Sequence, residues 1–173
     1  YYAIRPLIPR NLQLSLRSNV IKFKRSRVKT IWPIDETTTS PPPNWPGWPH
    51  QKQFGVVLTH DVEHQLGHDR SLQVLALEQE LGFRSSFNFV PERYSVDPDV
   101  RNEITKAGFE VGVHGLNHDG KLYRNRRTFQ ARARKINEYL TDWQAVGFRS
   151  PAMHRNLDWI HELNIQYDAS TFD

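Results

Sequence analysis

Short apolar runs alternate with longer segments of helical periodicity from Phe54 to the end of the chain. The apolar runs are rich in Val, Phe and Ile and are bounded by Gly, Pro or charged residues, which is typical of buried strands. The predicted strands cover residues 54–58, 85–90, 109–113 and 146–149, with a fifth beginning at 165. The predicted helices cover residues 69–81, 97–108, 128–143 and 157–163. Strands and helices that alternate in this way predict one parallel sheet with right-handed crossovers.

Five such units fit either an open doubly wound sheet or part of a barrel. A complete eight-stranded barrel takes roughly 250 residues, whereas residues 54–173 provide about 120. The chain also ends at Asp173, just after a predicted strand and without a closing helix. We therefore expect an α/β fold that is an incomplete, deformed (β/α) barrel of parallel strands.

The first part of the chain lacks this alternation. We expect residues 1–50 to form a basic arm with a Pro-rich linker, and residues 51–173 to form the α/β domain. The linker contains the sequence PPPNWPGWP, whose prolines require extended or turned backbone. Within the arm, residues 20–24 are compatible with a short strand.

Positive charge is concentrated in the arm. Residues 1–34 contain eight Lys and Arg residues and no acid, while the whole chain has a net charge of +4. The arm could contact an anionic surface, such as phospholipid headgroups or an acidic polymer, or it could pack against the domain, which we favour. Because the excess is confined to the arm, a nucleic-acid partner is not expected for the domain.

Composition excludes three further features. The chain has no Cys, which excludes both a disulfide scaffold and a thiolate metal centre. No apolar run approaches the length of a transmembrane helix, so a membrane-spanning segment is not expected.

Ionisable residues follow the first predicted strand. Asp61 and Glu63 are two positions apart, so both side chains point to one side of an extended backbone. Two carboxylates that face one space repel each other unless a cation or a shared proton lies between them. A solvated acidic turn is the alternative interpretation.

Two histidines follow the third predicted strand. His114 and His118 are four positions apart, so on one helical turn their imidazoles can share a metal ion. The carboxyl ends of parallel strands lie on one face of the fold, where a carboxylate from the first loop could join them. Two histidines and a carboxylate are typical of a catalytic zinc-type site, and a second carboxylate could accept a proton.

Four motifs occur in a recognisable order: THDVE at 59–63, HGLNH at 114–118, FRSP at 148–151 and YDAS at 167–170. Their order and spacing resemble the polysaccharide deacetylases, the NodB-like carbohydrate esterases. In that family Thr-Phe-Asp-Asp, His-x-x-x-His and Arg-x-Pro motifs lie in this order on a deformed barrel. The resemblance implies a metal-dependent hydrolase that removes acetyl groups from an N- or O-acetylated carbohydrate or polysaccharide, in the cell envelope or outside the cytoplasm.

The resemblance also implies individual roles. Asp61 corresponds to the catalytic base and Arg149 to the arginine that orients it. His114 and His118 correspond to the metal-binding histidines. The family's second Asp aligns with Val62, which cannot bind a metal, so we expect Glu63 to be the third ligand. The implied cofactor is a divalent ion, most simply Zn²⁺, with Co²⁺, Ni²⁺ or Mn²⁺ as alternatives.

Other positions of the motifs are expected to contact the substrate. These residues are His60, Ser150, Pro151, Tyr167, Asp168 and Ser170. The chain departs from the family at His60, where Phe is usual, and at Ala152, where an aromatic residue is usual. The late histidine that acts as an acid in the family has no counterpart here.

Two alternative functions follow from these departures. The same site could serve a C–N hydrolase that acts on a small amide or a cyclic ureide. The altered motif and the missing histidine would also suit a non-catalytic carbohydrate-binding or assembly domain.

Overall fold

A computed structural model describes residues 9–27, 41 and 43–171. The chain divides into two compact units, Tyr1–Gly55 and Val56–Asp173. The predicted division between residues 50 and 51 stays a prediction. The described part of the first unit contains helix α1 (Arg10–Arg27) and a short 3₁₀ helix, Pro49–Gln51. The expected strand at residues 20–24 is wrong, because these residues belong to α1.

The second unit alternates strands and helices along the chain. Its elements are β1 (Leu58–Val62), α2 (Gln65–Glu80), β2 (Ser85–Phe89), α3 (Pro98–Lys106), β3 (Glu110–His114), α4 (Arg126–Asp142), β4 (Gly147–Arg149), α5 (Leu157–Ile160) and β5 (Tyr167–Asp168). The strands form one sheet in the order β1-β2-β3-β4-β5, and every neighbouring pair is parallel. The predicted parallel α/β architecture is therefore confirmed.

The first strand lies later in the chain than predicted. Residues 54–57 are outside it, and Phe54, Val56 and Val57 are 72%, 70% and 87% exposed. β1 instead begins at Leu58 and contains most of the polar motif, with Asp61 opposite Asn88 of β2. The prediction from apolar content was displaced because side chains on β2 and β4, Asn88 and Arg149, donate hydrogen bonds to the polar side chains of β1 and so stabilise a polar strand.

Side-chain caps fix where three helices begin. The Asp97 carboxylate accepts a hydrogen bond from the Asp99 backbone N–H at 2.8 Å, and Pro98 occupies the first turn of α3. Asn125 caps α4 in the same way through Thr128, and Asn156 caps α5. These caps satisfy N–H groups that have no partner within the helix. In the described residues, no helix is long and apolar enough to cross a membrane.

The hydrophobic core lies between the helices and one face of the sheet, which we call the outer face. Its largest fully buried side chains come from β2, β4, α3 and α4, and they are Phe87, Phe89, Phe148, Ile104, Phe129 and Ile136. The ring of Phe129 stacks on Tyr123, with centroids 5.4 Å apart. Because side chains alternate across a strand, the residues between these positions point to the opposite, inner face.

Two glycines give the polar side chains of the inner face room to lie across the sheet. A Cβ at Gly112 would lie 2.1 Å from the amide oxygen of Asn88. A Cβ at Gly147 would lie 2.2 Å from the hydroxyl of Tyr167. Any larger residue at either position would displace a polar side chain from this face.

Truncation of the core is expected to destabilise the second unit strongly. Phe129→Ala removes a fully buried ring from α4 and should lower the free energy of unfolding by about 3–5 kcal/mol. Urea denaturation followed by circular dichroism measures this change. Leu77→Ala, at a position of α2 that is 56% exposed, should change it by no more than about 0.5 kcal/mol. Equal stability of the two variants would contradict this description of the core.

Candidate metal centre

Three ligand-bearing side chains converge at the carboxyl ends of β1 and β3. One ligand atom from each of Glu63, His114 and His118 lies within 4.8 Å of the other two. The Glu63 Oε1 atom is 3.0 Å from His118 Nε2 and 4.0 Å from His114 Nε2. Two loops distant in sequence therefore place two imidazoles and a carboxylate around one point, a donor set that suits Zn²⁺ and similar ions.

The hydrogen bonding of His114 directs one of its nitrogens toward this point. His114 is 1% exposed, and its Nδ1 lies 2.9 Å from the backbone carbonyl of Arg149. A carbonyl can only accept, so Nδ1 carries the hydrogen and Nε2 carries the lone pair. Burial lowers the pKa of His114, which favours the neutral imidazole that a metal requires.

The two Nε2 atoms provide a second test of whether a cation fits. Among the described residues, His114 Nε2 and His118 Nε2 are buried side-chain nitrogens without a hydrogen bond. Buried polar atoms are rarely left unsatisfied, and one bound ion would satisfy both nitrogens at once. The residues present therefore fit a bound divalent cation.

The loop that carries His118 has an unusual backbone. His118 has a φ of 53° and Gly115 a φ of 65°, both in the left-handed region. A Cβ at Gly115 would also lie 2.6 Å from ring carbons of Pro151. Glycine is thus required at 115 for both conformation and space, and Pro151 packs against this loop.

Contacts from the loop after β2 hold residues 115–118, which we call the histidine loop. The Glu92 backbone N–H donates to the Leu116 carbonyl at 2.9 Å, and its carboxylate accepts from the Asn117 amide at 3.0 Å. Lys135 of α4 donates to the same carboxylate at 2.8 Å. Analysis of the sequence missed Glu92, which follows the second strand and carries no motif of its own.

Asp61 lies beside His114, 4.0 Å from its Nδ1, but has different hydrogen-bonding partners. Its Oδ2 atom is 3.3 Å from Arg149 Nε, close enough for ion pairing although not aligned as a hydrogen bond. The Asn88 amide is 3.5 Å from Oδ1. Arg149 also donates to the Thr59 hydroxyl at 2.8 Å, which fixes its guanidinium on the inner face. Sequence analysis gave Asn88 and Thr59 no role, although Thr59 stands two positions before Asp61 in the first motif and so shares its face of the strand.

His60 does not reach this site. It precedes Asp61 on β1 and so points to the outer face, where its Nε2 lies 2.8 Å from a carboxylate oxygen of Glu78. The other Glu78 oxygen accepts from the Ser85 hydroxyl at 2.6 Å. The expected contact between His60 and a substrate stays a prediction.

The remaining expected substrate contacts are engaged in internal hydrogen bonds. The Ser150 backbone N–H donates to the Ser170 hydroxyl oxygen at 2.8 Å, and the Ser170 hydroxyl donates to Asp168 at 2.5 Å. Both serines are at most 1% exposed. The Tyr167 hydroxyl donates to Glu110 at the start of β3, away from the ligands. The structure therefore brings together five of the expected site residues, from three strand ends: Asp61, Glu63, His114, His118 and Arg149.

Comparison with known proteins relates the fold to solved structures alone. No protein-family model matches the chain, and no curated protein sequence matches it. A Mycobacterium smegmatis protein assigned as a polysaccharide deacetylase aligns with a TM-score of 0.60 and 20% identity, covering 70% of this chain and 52% of that one. The peptidoglycan deacetylase PdaC from Bacillus subtilis aligns with a TM-score of 0.54 and 18% identity, covering 65% and 56%.

A third structure is a mutant of BA3943, a CE4-family pseudoenzyme whose enzymatic activity was restored. It aligns with a TM-score of 0.55 and 15% identity, covering 65% of this chain and 43% of that one. The chain thus spans about half the length of the structures that it matches. At these identities the similarity establishes the fold, and the expected incomplete barrel of the deacetylase type is confirmed.

Removal of one ligand is expected to abolish tight metal binding. His118→Ala should weaken Zn²⁺ binding by about 100-fold or more, because a two-ligand site holds zinc poorly. Titration calorimetry and elemental analysis measure the change. His161→Ala, at an exposed position after α5, is the matched control and should bind like the unaltered chain. Unchanged affinity in His118→Ala would refute the ligand set.

Removal of the Glu92 carboxylate should weaken Zn²⁺ binding without removing a ligand. Glu92→Ala deletes the acceptor of Asn117 and Lys135, so Zn²⁺ affinity is expected to fall by about tenfold. Glu80→Ala, an exposed carboxylate on α2, is the control. Equal affinities in the two variants would show that the histidine loop holds its shape unaided.

Proposed function

We propose that this chain is a metal-dependent hydrolase that removes acetyl groups from an N- or O-acetylated carbohydrate. The observation that carries the proposal is the group of Glu63, His114 and His118, with two buried nitrogens that make no hydrogen bond, beside the accessible carboxylate of Asp61. The shared fold supports it, because solved structures with this fold include a peptidoglycan deacetylase.

The three ligands would hold the cation, with Zn²⁺ as the first candidate and Co²⁺, Ni²⁺ or Mn²⁺ as alternatives. Such an ion supplies Lewis-acid chemistry that polarises an acetyl carbonyl. His114 presents its lone pair because the Arg149 carbonyl fixes its tautomer. His118 and Glu63 complete the set, and their ligand atoms lie 3.0 Å apart.

Asp61 would act as the general base. Its carboxylate lies 4.0 Å from Nδ1 of the proposed ligand His114, and it is not itself one of the three ligands. The Arg149 guanidinium places a positive charge beside this carboxylate. Asp61 would accept a proton from the water that attacks the acetyl carbon, and acetate and an amine or a hydroxyl would be the products.

A non-catalytic carbohydrate-binding domain is the second candidate. Val62 stands where the deacetylase motif has its second Asp, and one structure with this fold derives from a pseudoenzyme. In that case oligosaccharides would bind without release of acetate.

A C–N hydrolase that acts on a small amide or a cyclic ureide would use the same five residues. Its substrate would distinguish it from a carbohydrate deacetylase.

Acetate release from oligomers of N-acetylglucosamine and from O-acetylated oligosaccharides tests the proposal, with small cyclic amides assayed in parallel. Asp61→Asn should keep the bound metal but lower kcat by about 100-fold or more, because it removes the base and preserves the shape. His118→Ala should lose both metal and activity, and His161→Ala should lose neither. Full activity in Asp61→Asn would exclude the assigned base, and binding without turnover in the unaltered chain would favour the second candidate.

A further inference from the structure

Helix α1 (Arg10–Arg27) exposes a line of apolar side chains. Leu12, Leu16, Val20 and Phe23 follow one another at helical spacing, within roughly a quarter of the circumference. They are 51%, 50%, 54% and 57% exposed, and no residue of the helix is buried. We call these four residues the apolar stripe. An exposed apolar surface of this kind is typical of a contact site.

The rest of the helix is strongly basic. It carries six Lys and Arg residues and no Asp or Glu: Arg10, Arg17, Lys22, Lys24, Arg25 and Arg27. The Arg27 guanidinium lies over the ring of Phe23, 4.2 Å from its centroid, at one end of the apolar stripe. Leu14 and Ile21 lie on the opposite face, among the cations. Basic side chains have long apolar stems, so their charges can extend away from the stripe.

We propose that α1 binds flat on the surface of a bilayer that contains anionic phospholipids. The apolar stripe would enter the boundary between headgroups and acyl chains, and the cations would contact the phosphates. The positive charge of α1 favours an anionic partner. The apolar stripe favours a bilayer over nucleic acids or acidic polymers, because these offer no apolar layer that the stripe could enter. This arrangement replaces the packed arm that the sequence favoured, because no residue of α1 is buried. The inference concerns the first unit alone and is independent of the proposed hydrolase.

Co-sedimentation with lipid vesicles tests this proposal on the chain of 173 residues. Vesicles with one third phosphatidylglycerol should bind it at least tenfold more tightly than vesicles of phosphatidylcholine alone. Leu16→Ser/Phe23→Ser should reduce binding to the anionic vesicles by at least tenfold. The matched control Leu14→Ser/Ile21→Ser removes two apolar residues from the other face and should reduce it by less than twofold. Lys22→Gln/Lys24→Gln should reduce it about fivefold per cation at low salt.

Three results would overturn the proposal. The first is equal binding to neutral and anionic vesicles, or binding to neither. The second is an equal loss in the two serine variants, which would show that the stripe has no special role. The third is binding to a double-stranded DNA oligomer that is tighter than binding to anionic vesicles and has the same affinity in Leu16→Ser/Phe23→Ser. Contact with phosphates alone would then explain the basic helix.

Discussion

Alternation of side chains across the parallel strands is the constraint on which this fold depends. In β1 to β4, every second residue packs against the helices, and the residues between them point the other way. Phe87, Phe89 and Phe148 therefore build the core, while Asp61, Asn88 and Arg149 collect on the opposite face. One periodicity thus provides both the stability of the unit and the polar surface at its strand ends.

Arg149 links the two parts of the candidate site. Its backbone carbonyl accepts from His114 Nδ1, and its guanidinium lies beside Asp61 and donates to Thr59. The proposed ligand and the proposed base are thus oriented by one residue at the end of β4. The histidine loop is held separately, by Glu92 from the neighbouring loop. Positioning of this kind, from several strand ends at once, is what a parallel sheet makes possible.

The sequence predicted the architecture and the main cluster because both rest on local patterns. His114 and His118 were recognisable from their spacing and position, as was the pair Asp61 and Glu63. The exact limits of β1 were missed because its neighbours, not its own apolar content, stabilise it. The pairing of His60 with Glu78 was missed for a related reason, since the predicted strand ended at residue 58, whereas β1 includes His60 and its period of two turns this side chain toward Glu78.

Arg149 interacts with His114 through its main chain and with Asp61 through its side chain. Any residue at this position would still offer the carbonyl, whereas only a guanidinium can reach both the carboxylate and the Thr59 hydroxyl as arginine does. Substitution of Arg149 would therefore remove the positive charge beside Asp61 and keep the hydrogen bond that orients the His114 ring. The orientation of His114 thus depends on the backbone at position 149 alone, whereas the charge beside Asp61 depends on its side chain.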